Sequence, residues 1–149
     1  MKEITTDRDT IESIIQQAAI CRIGLAENGQ PYVVPVCFGY QDGAIYFHSG
    51  QMGKKMDILR RNDAVCFEID VDHHLEPGSS GCKYSMTYRS VIGFGHATLL
   101  EDSAEKRRAL DVIMAHYQAA PDDYPDPVVT ETAVVKITID QMTAKIARR

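Results

Sequence analysis

None of the four cysteines forms a Cys-x-x-Cys pair, which removes both the zinc ribbon and the thioredoxin-type redox pair from consideration. Cys21, Cys37 and Cys66 instead sit in apolar, strand-like runs, where a thiol behaves as a small buried hydrophobe. Cys82 stands apart, just past a Gly-Ser-rich stretch that leaves it exposed and open to reaction. No apolar run approaches the length needed to span a bilayer, and Met1 to Asp9 carries too many charges for a signal peptide. Excess positive charge is missing as well: a net charge of −5 argues against a nucleic-acid partner, whose phosphates are met by a basic face. Internal repeats, low-complexity segments and linkers are absent. With 149 residues, 44% hydrophobic and 25% charged, the chain is expected to form one globular domain in the cytoplasm, without membrane or nucleic-acid contact.

What is present is a succession of short strands with three helices. Asp7 or Asp9 can cap a helix that carries Ile11, Ile14, Ile15 and Ala18 on one face. Cys21 to Ala26 reads as a strand, and Asn28-Gly29 is a strong hairpin signal leading into Pro31 to Tyr40. A turn at Gln41-Asp42-Gly43 delivers the strand Ala44 to His48, followed by a helix over Lys54 to Arg61 and a strand from Asp63 to Val71. Asp72 to Gly81 reads as a polar loop before the long strand Cys82 to Leu100. Asp102 or Ser103 caps a helix with Leu110, Ile113, Met114 and Tyr117 on one side; Pro121 to Pro127 breaks the chain, and Thr132 to Ile146 supplies the last strand. Turns this short cannot hold crossover helices, so a doubly wound parallel sheet is disfavoured. The expected architecture is a mainly β, α+β fold: a small closed or partly split antiparallel β-barrel with about three flanking helices.

The densest chemical signal is Ile45-Tyr46-Phe47-His48-Ser49-Gly50-Gln51-Met52-Gly53-Lys54-Lys55. An apolar strand breaks into small polar residues and places two adjacent lysines at the start of a helix, where acids are normally preferred. Free backbone N–H groups, the positive end of the dipole and two ammonium groups together describe a phosphate site. A solvated basic turn is the alternative. Asp70, Asp72, His73, His74 and Glu76 gather metal-ligand types, yet they lie in or beside a Pro-Gly-Ser loop that offers no rigid element to preorganise a cation, and no metal is expected. His96 and His116 lie on regular strand and helix patterns and read as structural.

Three motifs in order, Tyr32-Val33-Val34-Pro35-Val36-Cys37-Phe38, then His48-Ser49-Gly50 to Lys54-Lys55-Met56-Asp57-Ile58-Leu59-Arg60-Arg61-Asn62, then Tyr88-Arg89-Ser90-Val91-Ile92-Gly93-Phe94-Gly95-His96-Ala97, make the chain resemble the pyridoxamine 5′-phosphate oxidase-related flavoproteins. Within them it is most similar to the 5-nitroimidazole-resistance branch, and the likeness extends from about Cys21 to Lys145. The resemblance implies a split-barrel homodimer with FMN at the subunit interface. It further implies that Pro35, Val36, Cys37 and Phe38 lie against the isoalloxazine, largely through backbone groups, and that His48, Ser49, Lys54 and Lys55 surround the ribityl phosphate. Tyr88, Arg89 and Ser90 would complete the site, often from the partner chain. Taken alone, Arg89 could be a surface ion pair on an edge strand and Pro35 to Phe38 a buried strand. Alternation along that strand sends Tyr88 and Ser90 to one face and Arg89 to the other, so all three can touch one flavin only if the strand is bulged, backbone groups contribute or one member faces elsewhere; Arg89 and Ser90 are expected to reach the cofactor region, with Tyr88 packing beside it.

The chain also departs from its relatives. It has no tryptophan, whereas the wider oxidase family uses one late in the chain near the flavin; Ala144 stands where the nitroimidazole branch often has glycine. No counterpart of the oxidase's substrate-phosphate residues is evident, which sets vitamin B6 oxidation aside. Two classes remain: an FMN-dependent oxidoreductase passing electrons from a small reduced donor to a small acceptor such as a nitroaromatic, or a flavin-binding carrier or sensor without turnover, including relatives that take FAD, haem or a deazaflavin. No residue is singled out as a catalytic acid or base, because a flavin carries hydride and electrons itself.

Overall fold

The computed structural model describes all 149 residues, Met1–Arg149. Eight strands and four helices follow one another as β1 (Lys2–Thr5), α1 (Arg8–Gln17), β2 (Cys21–Glu27), β3 (Gln30–Val36), β4 (Gly39–Gln41), β5 (Ala44–Gly50), α2 (Lys54–Arg61), β6 (Ala64–Glu76), β7 (Ser85–Leu100), α3 (Ser103–His116), α4 (Asp126–Glu131) and β8 (Thr132–Ala147), with a 3-10 turn at Gly81–Lys83. Every pairing is antiparallel, in the order β3-β2-β6-β7-β8-β5-β4, and β1 pairs with the end of β8. The two outermost strands, β3 and β4, follow each other in the chain but do not pair. The barrel is therefore split along a seam, with β3 as one free edge.

Local chemistry accounts for most of these elements. The side chains of Asp7 and Asp102 accept from the N–H groups of Thr10 and Glu105, capping α1 and α3. Asn28 and Gly29 both have positive φ, 50° and 76°, in the two-residue turn between β2 and β3; Asp42 and Gly43 repeat it, 49° and 75°, between β4 and β5. Such turns match the right-handed twist of the flanking strands. Period-2 alternation then sends Cys21, Ile23 and Leu25 of β2 and Val65, Phe67 and Ile69 of β6 into one core. Phe38, Phe47 and Phe67 fill that core with no exposed surface, and the apolar face of α1 (Ile11, Ile14, Ile15) closes it.

The two longest strands, β7 and β8, run 16 residues each. Their register slips once, Phe94 opposite Gln141 and Gly95 opposite Ile139, so Asp140 is extra; its carboxylate meets His96 Nδ1 at 2.8 Å on the outer surface. A Cβ on Gly95 would sit 2.2 Å from the Thr138 carbonyl oxygen, so only glycine fits there.

Several sequence expectations need correction. Pro31 to Tyr40 is not one strand but β3 and β4, separated by Cys37 and Phe38; Cys37 is exposed rather than buried, and Cys66 is half-buried. The segment from Asp72 is not a loop until after Glu76: β6 continues across a bulge between Val71 and His74, where Asp72 adopts φ 58°. β7 starts at Ser85, because Gly81–Lys83 is coiled into the 3-10 turn. The proline-broken stretch ends in α4, which tolerates Pro127 in its first turn, where an N–H would be unpaired anyway. The buried side of α3 is Lys106, Ala109, Leu110 and Ile113, with Tyr117 exposed.

Candidate functional site: the seam and the start of helix α2

The helix α2 begins differently from α1 and α3. Its N-cap is Gly53 at φ 124°, no side chain caps it, and Lys54 and Lys55 follow at once. A built Cβ at Gly50 or Gly53 would meet nothing within 4 Å, so open space adjoins the backbone there. Lys54 Nζ lies 4.6 Å from the centre of the Tyr32 ring on β3, and Lys55 Nζ lies 5.7 Å from that of Phe47 on β5. Neither ammonium has a carboxylate partner; both rest on aromatic faces, which attract a cation without neutralising it. Burial holds the Lys55 ammonium below its ordinary pKa, the direction expected of a cation lacking a counter-ion. The start of α2 thus straddles the seam, one lysine on each wall. Arg60 ties the helix back to the preceding loop by donating to the Gln51 carbonyl oxygen at 2.8 Å.

The other residues expected at the phosphate end are close in the chain and the fold. His48 is exposed and Ser49 half-buried on β5, and alternation puts Ser49 on the same face as Phe47. On the opposite wall, Pro35 is exposed, Val36 buried and Cys37 exposed. Phe38 turns its ring into the core against His116, 4.3 Å between ring centroids, and its backbone N–H donates to the Tyr117 hydroxyl at 3.0 Å. Tyr117 in turn donates to the Ala19 carbonyl oxygen at 2.7 Å, and His116 Nε2 lies 2.6 Å from that of Ala18. The bend between β3 and β4 is thereby fastened to α3.

Tyr88, Arg89 and Ser90 lie elsewhere in the same chain. His48 and Ser49 pair with Val134 and Ala133 at the start of β8, whereas Arg89 pairs with Ile146 near its end. Twelve residues of strand between Val134 and Ile146 give a path of about 40 Å at ~3.3 Å per residue. The two groups thus pair with opposite ends of β8. Arg89 is also not on an edge strand: β7 is central, and the guanidinium donates to Asp72 Oδ2 at 2.6 Å and Gln17 Oε1 at 2.7 Å. Ser90 is buried, and Tyr88 is half-buried with Lys145 Nζ 5.6 Å from its ring centre.

Around Arg89 opens a cleft of about 330 Å³ that includes Tyr88, Asp72, Arg148 and Arg149. Arg148, Arg149 and Asp72 are its unanticipated members. Their signal was the density of cations in the last five residues, which gains meaning only when the β7–β8 register brings them beside Arg89. The metal-ligand types near β6 are committed to separate ion pairs: Asp70 with His73 and Arg22, Asp72 with Arg89, and Glu76 with His74.

The outer face of the sheet carries the remaining feature. Strand register aligns Val33, Gly24, Cys66 and Phe94 in one row across β3, β2, β6 and β7, and Pro35, Arg22, Glu68 and Ile92 in the next. Val33, Ile92 and Phe94 on this face are 63%, 45% and 49% exposed. Burial, reinforced by a hydrogen bond and the charge of Asp70, pushes Glu68 beside them up to about 7.

Antiparallel strands split along one seam, with an uncapped, lysine-led helix start across it, define a split-barrel protein. The chain belongs to the pyridoxamine 5′-phosphate oxidase family, whose model matches residues 7–146. It is 41% identical to a candidate 5-nitroimidazole antibiotic resistance protein from Bacteroides thetaiotaomicron, with a TM-score of 0.88 over 98% of this chain and 87% of that one. More distant structures share the fold: a flavocytochrome from Azotobacter vinelandii (21% identity, TM-score 0.84, 98% of this chain and 70% of that one) and an FAD- and haem-binding protein from Mycobacterium smegmatis (16%, 0.89, 98% and 74%). No curated protein matches the chain. No helix is long and apolar enough to cross a membrane.

Proposed function

We propose that this chain is an FMN-binding, cytoplasmic oxidoreductase that passes electrons from a small reduced donor to a small acceptor such as a nitroaromatic, working as a homodimer. The observation that carries the reading is the uncapped start of α2 across the seam, with the Lys54 and Lys55 ammonium groups unpaired on Tyr32 and Phe47. A dianionic phosphate satisfies the free N–H groups and both charges at once, so the residues present fit FMN. Ser49 and His48 flank the same end, and the Pro35 to Phe38 bend offers its backbone along the opposite wall. The 41% identical relative, itself assigned to nitroimidazole resistance, supports the choice of acceptor.

Two observations support the dimer. Exposed Val33, Phe94 and Ile92 on the outer face of the sheet are surface that a second copy could cover, and an isologous contact would bury them on both chains. The path of about 40 Å between Ser49 and Arg89 along β8 favours a partner chain as the source of Tyr88, Arg89 and Ser90 at the flavin.

Bound flavin would supply the hydride and electron transfer; the protein's part is to orient it, hold its phosphate and exclude water. The test is stopped-flow mixing of the flavin-loaded protein with NADH or NADPH, then with a nitroimidazole. Bleaching on the first addition and reoxidation on the second is the expected result. Flavin that responds to neither would make the chain a binding module.

A further inference from the structure

Lys106 is the fourth residue of α3 and is only 6% exposed. Its ammonium forms no ion pair and no hydrogen bond, although no polar side-chain atom sealed from solvent lacks a partner anywhere in the chain. The unpaired charge is therefore open to solvent, and Lys106 lines a cavity of about 350 Å³ between α2, α4, the end of β7 and the start of β8. Arg60 of α2 and Thr130 of α4 line the same cavity, with Leu100 and Val134 as apolar members and exposed Glu101 as an acidic one. A cavity of this size lies at the small end of small-molecule sites, about 300–1,000 Å³.

The position is costly twice over. A cation in the first turn of a helix opposes the dipole, and a lysine whose stem is buried while no anion of the protein meets its ammonium keeps only the water that the cavity admits. Threading the stem of the lysine through apolar neighbours explains its burial but not the choice of a charged end that faces a cavity shared with a second cation.

We propose that this cavity is a second binding site, distinct from the seam, that takes the oxyanion group of a small acidic molecule, with Lys106 as its principal charge partner. Arg60 and Thr130 supply further donors, and the apolar floor accepts the body of the ligand. A carboxylic acid and a phosphate ester present the same chemistry to these donors. They differ in charge and in the number of oxygens they can offer.

Calorimetric titration of the purified full chain with sodium benzoate and, separately, with inorganic phosphate tests the proposal. Saturable benzoate binding is expected, weakened about tenfold or more in Lys106→Met and largely kept in Lys106→Arg, since one charge-assisted hydrogen bond is lost in the first and preserved in the second. Tighter binding of phosphate with the same dependence on Lys106 would keep the site and assign it to phosphate-bearing ligands. The melting temperature of Lys106→Met without ligand should equal or exceed that of the parent, because a cation that opposes the helix dipole and has no partner in the protein has gone. If neither anion binds saturably, or if both bind Lys106→Met as well as the parent, Lys106 is a packing lysine and the proposal fails.

Discussion

Replacing Lys54 and Lys55 together by alanine should separate FMN from riboflavin, which differ only in the phosphate. Each lysine is placed to make one charge-assisted hydrogen bond, about 1.5–3 kcal/mol when formed and partly replaced by water when lost. The cation–π contacts to Tyr32 and Phe47 exist before a ligand arrives and largely cancel from the difference. Lys55, already desolvated by its surroundings, contributes more of the loss than the exposed Lys54. The double change should therefore cost about 2–4 kcal/mol of FMN binding, which is about 30- to 1,000-fold in Kd. Riboflavin affinity should move little, and the melting temperature of the flavin-free protein should hold, since neither lysine is in an ion pair. Quenching of flavin fluorescence measures both affinities on one instrument. Equal losses for FMN and riboflavin, or none for either, would refute a phosphate site at the start of α2.

The same geometry sets further outcomes. Arg89→Ala should weaken FMN binding in a fluorescence titration while leaving the Lys54 and Lys55 contribution intact; unchanged affinity and unchanged dimerisation would return Arg89 to a local partner of Asp72 and Gln17. Phe94→Lys, on the exposed outer face of the sheet, should shift light scattering from dimer towards monomer without a matching fall in secondary structure by circular dichroism. Tyr117→Phe removes the acceptor of the Phe38 N–H and the donor to Ala19, and should lower stability to urea by about 1–3 kcal/mol. For Glu68 the folded pKa, raised to about 7, lies above the unfolded value, so its contribution is full below the unfolded pKa and is lost as pH rises to about 7. Glu68→Gln should flatten that fall in urea-melt stability between pH 5 and 8; a parent protein with no decline over the window would contradict the shared proton with Asp70.

The parts of the fold written in local chemistry were legible beforehand. Asn28-Gly29 and Asp42-Gly43 announced their turns because few other residues adopt positive φ cheaply, and Asp7 and Asp102 announced α1 and α3 because their carboxylates meet orphan N–H groups. Family membership and the split barrel followed from the order of motifs. What escaped depended on distant partners. Lys2–Thr5 has no apolar alternation and becomes β1 only because the end of β8 leaves an edge to pair with. The polar residues His73 and His74 continue β6 because β7 lies alongside, and α4 forms where prolines suggested only a break. The buried charge of Lys106 was invisible in a helix whose pattern pointed to Leu110 and Ile113. Tyr117, expected to pack, instead clasps the bend at Phe38 through its hydroxyl.

The free edge of β3 carries Pro31 and Pro35 on either side of Val33. Proline has no N–H to give to β2, and residues two and four apart in a strand direct their backbone groups the same way, so all three point towards the open seam. Of those three positions only Val33 can donate there. A strand from a misfolded or neighbouring molecule that tried to zip onto this edge would find a ladder with two of its three rungs missing, and exposed edges of this kind are where uncontrolled β-association starts. A flat ligand needs no ladder. The same two prolines that leave the seam open to a small molecule thus close it to another chain, and replacing them would be expected to show first as aggregation on storage rather than as a change in fold.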